Sequence, residues 1–309
     1  MQIKTIEKIV RQKMIEWVTT IDDLQLGKDV LNNLLVSGGS ICSLLLNQQV
    51  NDFDVYLQDI NVLKRLMEYY AKPFQSQIRI LDGREKEKLV DELNEAYKGV
   101  ADEEEGIERR NRYACILRNL KEDQLKFEFP GVGFKPEYPE PIEERKYKPI
   151  YFSPNAISLS DQLQIVVRFW GNPEQIHSTF DFVHATNYFT MEDGLVRNLQ
   201  AMESIITKQL YYQGSHYPLT SIIRAKKFIK RDFNISAGEY LKIMFQISKL
   251  NLEDPDELFN QLCGVDVAYF EGIINVLQEK RDKDPNFVPD SKYLNTLIDR
   301  MFNGDSSPD

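Results

Sequence analysis

Apolar and polar residues are arranged along the first part of the chain in patterns that predict short strands between helices. Apolar side chains recur at helical spacing over residues 1–30, which predicts a helix with a break near residues 20–22. The apolar run 34–37 predicts a buried strand, 41–47 a short helix and 53–57 a second strand. The pattern therefore predicts a strand–turn–helix–strand unit near the N-terminus.

The same criteria extend the predicted sheet further along the chain. They predict a helix over residues 60–71 and strands over residues 77–81, 113–120, 125–129, 156–159, 163–169 and 180–188. Residues 113–120 and 125–129 are predicted to pair through a turn at Lys121-Glu122-Asp123.

Two stretches lack this periodicity. Residues 84–112 are dense in charge, which favours a solvated helical insertion or a mobile loop, with a lid or partner surface as the alternative. Residues 131–149 combine several prolines with charged side chains, which is typical of a surface loop. We therefore treat 84–149 as an insertion between sheet elements.

The second part of the chain has helical periodicity. Helices are predicted over residues 195–211, 219–233, 236–249, 255–262 and 266–281. The predicted fold class is α+β, with a mixed β-sheet flanked by helices in a domain of residues 1–192 and an all-helical domain of residues 193–309.

Composition narrows the function classes. The net charge of −10 argues against a broad basic face for nucleic acid, so either a local basic groove exists or the substrate is small. No apolar run reaches membrane-spanning length, and the N-terminus lacks the apolar core of a signal peptide. The three cysteines, Cys42, Cys115 and Cys263, are scattered, which suits a reducing cytoplasm.

The candidate chemistry lies in the first strand–turn–helix–strand unit. Asp52 and Asp54 are two apart, so on a strand they point to one face, and the repulsion of their charges favours a bound cation. Mg²⁺ prefers such oxygen ligands. The preceding Gly38-Gly39-Ser40 turn opens a helix, where backbone N–H groups favour a phosphate. The alternative is an ordinary glycine turn, with Ser40 as a helix cap.

The Gly38-Gly39-Ser40 turn followed by Asp52-Phe53-Asp54 resembles the nucleotidyltransferase superfamily that includes DNA polymerase β, poly(A) polymerases and CCA-adding enzymes. That resemblance implies a nucleotidyltransferase sheet in the N-terminal domain. It also implies that the glycine turn binds the triphosphate and that the aspartates hold Mg²⁺ or Mn²⁺. The block 150–189 is also similar to nucleotidyltransferase-like proteins of bacteriophages.

The superfamily places a third metal-binding carboxylate on a neighbouring strand. By resemblance, Asp181 is expected to take this role as a catalytic and metal-binding residue, and Asp161 is the competing candidate. An acid between Phe180 and Phe182 is costly to bury unless it binds a metal or pairs with a base. A structural ion pair of Asp181 with Arg168 or His184 is the alternative.

The predicted helix 219–233 is the most basic segment of the chain. It loosely resembles the helix that follows the catalytic domain in CCA-adding and poly(A)-adding enzymes, which implies that Arg224 and Lys227 face the nucleotide or the primer end. The two side chains are three residues apart and share one helical face. A solvated helix face is the alternative.

The resemblance implies an enzyme that transfers a nucleoside monophosphate from an NTP to a hydroxyl and releases pyrophosphate. The expected acceptor is an RNA 3′ end, with tRNA favoured by the basic helix. A protein or nucleotide acceptor, or an inactive nucleotidyltransferase-like scaffold, are the alternatives. We expect a cytoplasmic protein with no membrane partner, and the sequence leaves its oligomeric state open.

Overall fold

A computed structural model of the chain describes most residues up to 252 and a few beyond. The described residues are 2–96, 113–114, 116–117, 120–129, 133–138, 146–252, 257, 261, 280, 292–293 and 296. Contacts between Cα atoms divide the chain into two compact units. The first unit is Met1–Phe180 with His184–Ile205, and the second is Asp181–Val183 with Ile206–Asp309. The predicted domain boundary at residue 192 stays a prediction.

A seven-stranded mixed sheet forms the centre of the first unit. Its strands are β1 (Leu34–Ser37), β2 (Phe53–Leu57), β5 (Pro149–Ser153), β6 (Ala156–Leu159), β7 (Leu163–Val166), β8 (Tyr188–Thr190) and β9 (Gly194–Val196). They lie in the order β5-β6-β7-β2-β1-β8-β9. The β2–β7 pair is parallel and the other pairs are antiparallel, which confirms the mixed sheet.

The same unit also contains helices, the last of which extends two residues past the unit boundary at Ile205. They are α1 (Ile3–Val18), α2 (Leu24–Asn33), α3 (Gly39–Leu45), α4 (Ile60–Ala71), α5 (Lys86–Ala96), α6 (Pro173–His177) and α7 (Leu199–Thr207). The predicted break in the N-terminal helix is confirmed, since Asp23 caps a second helix by accepting hydrogen bonds from Gln25 and Leu26. The predicted α+β class is therefore correct.

The sheet is buried on both faces, because its central strands alternate between two apolar clusters. Leu34 and Val36 of β1 join the main core cluster. Leu35 belongs to a second cluster with Tyr56 of β2 and Ile176 of α6. Successive side chains on a strand point to opposite faces, so Ser37 and Asp54 lie on the same face as this second cluster.

Two strand predictions in the insertion are corrected by the structure. Strand β3 (Arg79–Asp82) pairs antiparallel with β4 (Leu125–Glu128), so 125–129 does not pair with 113–120. Tyr113, Ala114, Ile116 and Leu117 are helical, and a short apolar run of this kind does not distinguish a helix from a strand. Residues 97–112 of the charged segment lie outside the described residues.

The predicted surface loop 131–149 is partly packed where it is described. Phe134 forms an antiparallel bridge with Phe152, and its ring lies 5.5 Å from that of Phe74. The Tyr138 hydroxyl donates to the carbonyl of Pro149 at 2.9 Å. Aromatic side chains in this proline-rich stretch therefore contact the core cluster.

The predicted strand 180–188 is also wrong. The chain turns through a 3-10 segment at Val183–Ala185, and β8 begins only at Tyr188. The backbone of Ala185 instead accepts a hydrogen bond from the Gly38 N–H at 3.1 Å. A tertiary contact to the glycine turn thus replaces the regular strand that the aromatic pattern predicted.

The second unit is mainly helical in its described part. It contains α8 (Pro218–Ile229) and α9 (Ala237–Ile247), with a two-residue parallel pair between β10 (Gln209–Leu210) and β11 (Asn234–Ile235). The buried Glu239 carboxylate of α9 accepts from the Tyr212 N–H at 2.7 Å, which ties α9 to the segment after β10. Most of the two last predicted helices lies outside the described residues.

Within the part of the chain that the structure describes, no helix is both long and apolar enough to cross a membrane. Cys42 is buried in α3, while Cys115 and Cys263 lie outside the described residues.

The end of β1 is fixed by a buried hydroxyl. Ser37 Oγ lies 2.9 Å from Nε2 of His177, 2.9 Å from the carbonyl of Asn187 and 3.2 Å from that of Ala185. The hydroxyl has one proton and can donate to only one of these three groups, and its lone pairs can accept a hydrogen bond from the imidazole. Burial lowers the pKa of His177 to about 4, and the ring is therefore neutral at pH 7.

We predict that His177 makes folding stability depend on pH. The unfolded chain takes up the proton near pH 6.5 and the folded chain only near pH 4, so the folded state loses stability as pH falls between these values. The loss is up to about 3 kcal/mol. Urea unfolding at pH 7.5 and 4.5 should show a smaller loss for His177→Gln than for the unchanged protein.

The matched control is His216→Gln, which removes an exposed histidine from the second unit. This variant should retain the pH dependence of the unchanged protein. Equal losses in the unchanged protein and in His177→Gln would contradict the assignment.

Candidate functional site

The candidate site is the turn between β1 and α3, together with the start of β2. The antiparallel register pairs Ser37 with Asp54, so the carboxylate of Asp54 lies beside the first residue of the turn. A Cβ atom placed on Gly38 would lie 3.2 Å from Oδ2 of Asp54. The predicted glycine turn and one predicted aspartate are thus in close contact.

Glycine is required at position 38 for two reasons. Its φ of +93° lies in a region that side chains with a Cβ rarely adopt. The missing side chain also leaves room for Asp54. The neighbouring Gly39 differs, because a Cβ there would meet nothing within 4 Å. Gly38 therefore serves the local fold, and Gly39 leaves open space at the first residue of α3.

Ser40 carries an unusual hydroxyl. Its side chain is 2% exposed, and its Oγ has no hydrogen-bond partner among the residues that the structure describes. A buried hydroxyl without a partner costs free energy and is rare in native proteins. The alternative prediction, that Ser40 caps α3, is wrong, since the cap residue is Gly38 and Ser40 lies inside the helix. A ligand oxygen would satisfy this donor.

A second buried polar atom adjoins the same turn. Asn187, whose carbonyl lies 2.9 Å from the Ser37 hydroxyl, accepts from the N–H of Asn198 through Oδ1. Its Nδ2 is buried and makes no hydrogen bond to any described residue. The segment that contains Asn187 therefore contacts the end of β1 and carries a buried polar group of its own.

The two aspartates differ in their surroundings. Asp54 lies within β2, is partly buried and accepts a hydrogen bond at Oδ1 from the side-chain amide of Gln164 at 3.3 Å. Asp52 directly precedes β2 and is exposed. A metal ion recruited here would thus meet one carboxylate that is held in place and one at the surface.

The third predicted carboxylate has a different setting. Asp181 belongs to the second unit and is not on a strand. Its Oδ2 accepts from Nη1 of Arg224 at 2.9 Å, and the Asp181 side chain is 10% exposed. Asp181 is therefore in an ion pair, but its base is Arg224, whereas the sequence alternative named Arg168 or His184. The metal-binding role of Asp181 stays a prediction.

The strands beside β2 carry no acid that could take this place. β1 ends in Ser37 and β7 reads Leu-Gln-Ile-Val over Leu163–Val166. The competing candidate Asp161 lies in the turn before β7, where its carboxylate accepts from the Tyr147 N–H and the Ser160 hydroxyl. In the described residues, no three His, Cys, Asp or Glu side chains are grouped to hold a metal ion.

The donor set nevertheless fits a cation that is shared with a nucleotide. Mg²⁺ is commonly bound through one or two carboxylates plus substrate phosphates, without a complete protein cage. Asp52 and Asp54 supply the carboxylates, and Ser40, two residues after Gly38 in the turn that Asp54 approaches, supplies a buried donor. Lys227, the remaining predicted nucleotide-binding residue, is partly buried on α8 of the second unit, and its role stays a prediction.

Sequence reasoning missed Gln164 and His177 at this site. Neither belongs to a motif, and both reach the turn through contacts more than 100 residues away in the chain. A glutamine on a strand next to two acids carries no local signal. Only the pairing of β2 with β7 reveals it.

Comparisons with solved structures give weak similarities. A tRNA-processing enzyme with CTP matches 84% of this chain and 55% of its own, at 12% identity and a TM-score of 0.38. The Thermotoga maritima CCA-adding enzyme complexed with tRNA matches 75% of this chain and 44% of its own, at 14% identity and a TM-score of 0.32. Values this low do not establish an activity.

Sequence comparison gives a more direct result. A relative described as Gabija anti-defense 2, from Bacillus phage SPbetaL7, is 25% identical over 158 residues. The alignment covers 46% of this chain and 38% of that relative, which is a phage protein, in agreement with the phage similarity expected for 150–189. The family model described as Gabija anti-defense 2 family protein matches residues 8–208. Since this match covers more than half of the 309 residues, the chain belongs to the Gabija anti-defense 2 family.

Proposed function

We propose that the chain is a metal-dependent nucleotidyltransferase that binds an NTP at the Gly38-Gly39-Ser40 turn. The observation that carries this proposal is the buried Ser40 hydroxyl without a protein partner, at a turn against which Asp54 is packed. A phosphate oxygen would accept from that hydroxyl. The open space at Gly39 would let the phosphate approach the backbone.

The residues of this chain would bind and orient the reactants. Asp52 and Asp54 would hold Mg²⁺ or Mn²⁺, which when bound stabilises the charge on the attacking and leaving oxygens. Ser40 would orient the triphosphate by donating to one of its oxygens. α3 has only seven residues, so its dipole would contribute little compared with these direct contacts.

The acceptor is proposed to be an RNA 3′ end of the tRNA type. This rests on the basic residues of α8, where Lys226 and Lys227 lie in the last turn and Arg224 pairs with Asp181. A protein or nucleotide acceptor is the second candidate, because the net charge is −10 and favours a ligand smaller than a long polyanion. An inactive nucleotide-binding scaffold is the third.

Family membership adds a biological role to this proposal. The relative is named for opposing the Gabija defence, and we propose that the present chain does so through its nucleotide site. Attachment of the nucleotide would then mark a molecule on which the defence depends, or would remove the unmodified form of that molecule. This role and the chemistry can be tested separately.

We predict that Asp54→Asn abolishes transfer and preserves the fold. The asparagine Oδ1 can still accept from Gln164, so only the charge is lost. Loss of several kcal/mol of charge stabilisation corresponds to a rate at least about 10³-fold lower. Each labelled NTP is incubated with Mg²⁺ or Mn²⁺ and with total tRNA, host protein extract or no acceptor.

Label on RNA supports the first acceptor, and label on protein or small products supports the second. The control Asp123→Asn removes an exposed acid from a turn of the same unit and should leave transfer unchanged. Full activity in a purified Asp52→Asn/Asp54→Asn protein would exclude these residues from the chemistry. Nucleotide binding without any labelled product would favour the scaffold.

We predict that alanine lowers a different property at each of the two glycines, stability at Gly38 and NTP affinity at Gly39. Gly38→Ala should destabilise the protein by about 1–3 kcal/mol, because of its positive φ and the contact with Asp54. Gly39→Ala should change stability by less than about 1 kcal/mol, because its Cβ meets no protein atom. It should still weaken NTP binding, measured by calorimetry, since the methyl group would occupy the proposed phosphate position. Unchanged NTP affinity in Gly39→Ala would place the nucleotide elsewhere.

We predict that the anti-defence role requires Asp54. Bacteria that carry the Gabija defence are infected with a phage that this defence restricts. Plaques should return when the unchanged chain is expressed and should stay reduced with Asp54→Asn, while Asp123→Asn acts like the unchanged chain. Equal plaque numbers with Asp54→Asn and the unchanged chain would separate the anti-defence role from the nucleotide site.

A further inference from the structure

Gln164 occupies a specific position beside the proposed metal-binding aspartate. β7 runs parallel to β2, and their register pairs Asp54 with Gln164. The two side chains therefore lie on the same face of the sheet, on the side of the Ser37 hydroxyl. The superfamily resemblance predicts a third carboxylate on a neighbouring strand, and this position of β7 holds a neutral amide instead.

The contact between them fixes the orientation of the carboxylate. Nε2 of Gln164 donates to Oδ1 of Asp54 at 3.3 Å. An ionised carboxylate has only acceptors, so the amide nitrogen and not the amide oxygen must face Asp54. The other oxygen, Oδ2, is the atom that approaches Gly38. One oxygen is thus held by β7 and the other is directed at the glycine turn.

The surrounding strands make this orientation rigid. Gln164 is flanked in β7 by the buried residues Leu163 and Ile165. On its far side β7 pairs with β6, where Ser158 stands opposite Gln164. A side chain mounted on a central strand of a packed sheet places its amide more precisely than a loop residue could. The backbone of Gln164 is therefore held by paired strands on both sides.

An amide suits this role better than a basic side chain would. It donates a hydrogen bond to Asp54 without bringing a charge of its own. A lysine or arginine would neutralise the charge of Asp54 and compete with the cation. Groups that hold metal-binding side chains in this way typically contribute 10- to 100-fold to metal affinity or activity.

We propose that Gln164 is the positioning residue for Asp54, orienting its Oδ2 toward the cation and phosphate that the turn recruits. This inference rests on the proposed function of the turn. It assigns Gln164 no contact with the nucleotide and no part in proton transfer. Gln164 should therefore affect binding of the metal ion with the nucleotide and should not affect nucleotide binding without a metal ion.

The test measures Mn²⁺ affinity and ATP affinity in two variants. Gln164→Met keeps the length of the side chain and removes the donor. Gln164→Asn keeps the donor but withdraws it by one methylene group, out of reach of Asp54. Each should weaken Mn²⁺ binding, measured by electron paramagnetic resonance in the presence of ATP, by about 10-fold or more. ATP affinity without a divalent cation should change by less than about 2-fold.

The control is Gln162→Met, at the exposed glutamine two residues earlier in the chain. It should bind Mn²⁺ like the unchanged protein. Thermal unfolding without ligands establishes that each variant is folded, and the use of two variants keeps the test valid if one of them is not. A merely structural Gln164 would lower the unfolding temperature and leave the Mn²⁺ affinity of the folded protein unchanged.

The outcomes separate this inference from the proposed function. If the unchanged protein binds no Mn²⁺ and neither ATP nor any of the other three NTPs, the proposed nucleotide site fails, and the inference about Gln164 fails with it. If the unchanged protein binds both and the folded Gln164 variants bind Mn²⁺ equally well, only the positioning role is overturned. Selective loss of Mn²⁺ affinity in both variants supports the role.

Discussion

The close approach of the Asp54 carboxylate to the backbone of Gly38 is the contact on which the candidate site depends. It follows from the antiparallel register of β1 and β2, which sets Asp54 opposite the last residue of β1. A Cβ atom at position 38 would crowd the carboxylate at 3.2 Å, and the positive φ of Gly38 also favours glycine there. The turn and the acid are therefore one structural unit, and neither position is independent of the other.

Packing on both faces of the sheet makes this contact stable. The main core cluster covers one face, and the smaller cluster around Leu35 and Tyr56 covers the other. His177 of α6 extends the second cluster to the end of β1, where its neutral ring contacts the Ser37 hydroxyl. Apolar burial thus positions the strands, and a few buried hydrogen bonds fix the polar end where chemistry would occur.

The candidate site belongs to an acidic protein, and this charge bears on the ligand that is proposed for it. Two carboxylates at a glycine turn suit a cation shared with a triphosphate, which is a small and strongly charged ligand. Such a ligand does not require the broad basic surface that a net charge of −10 argues against. Membership of an anti-defence family is compatible with an enzyme that acts on a molecule of the host. It is equally compatible with a scaffold that sequesters a nucleotide without any reaction.

The sequence by itself determined the elements and residues whose signals are local. The alternating and apolar runs predicted β1, β2, β6 and β7, and the helical spacing predicted α1, α2 and α4. The local sequence also identified the glycine turn and its two aspartates. Tertiary structure alone decided that residues 79–82 pair with 125–128. It also decided that Asp181 pairs with Arg224, which is 43 residues away in the chain. It also brought Gln164 to Asp54 and His177 to Ser37. Strand register and long-range side-chain pairs depend on how distant segments pack, and no local pattern of residues encodes that choice.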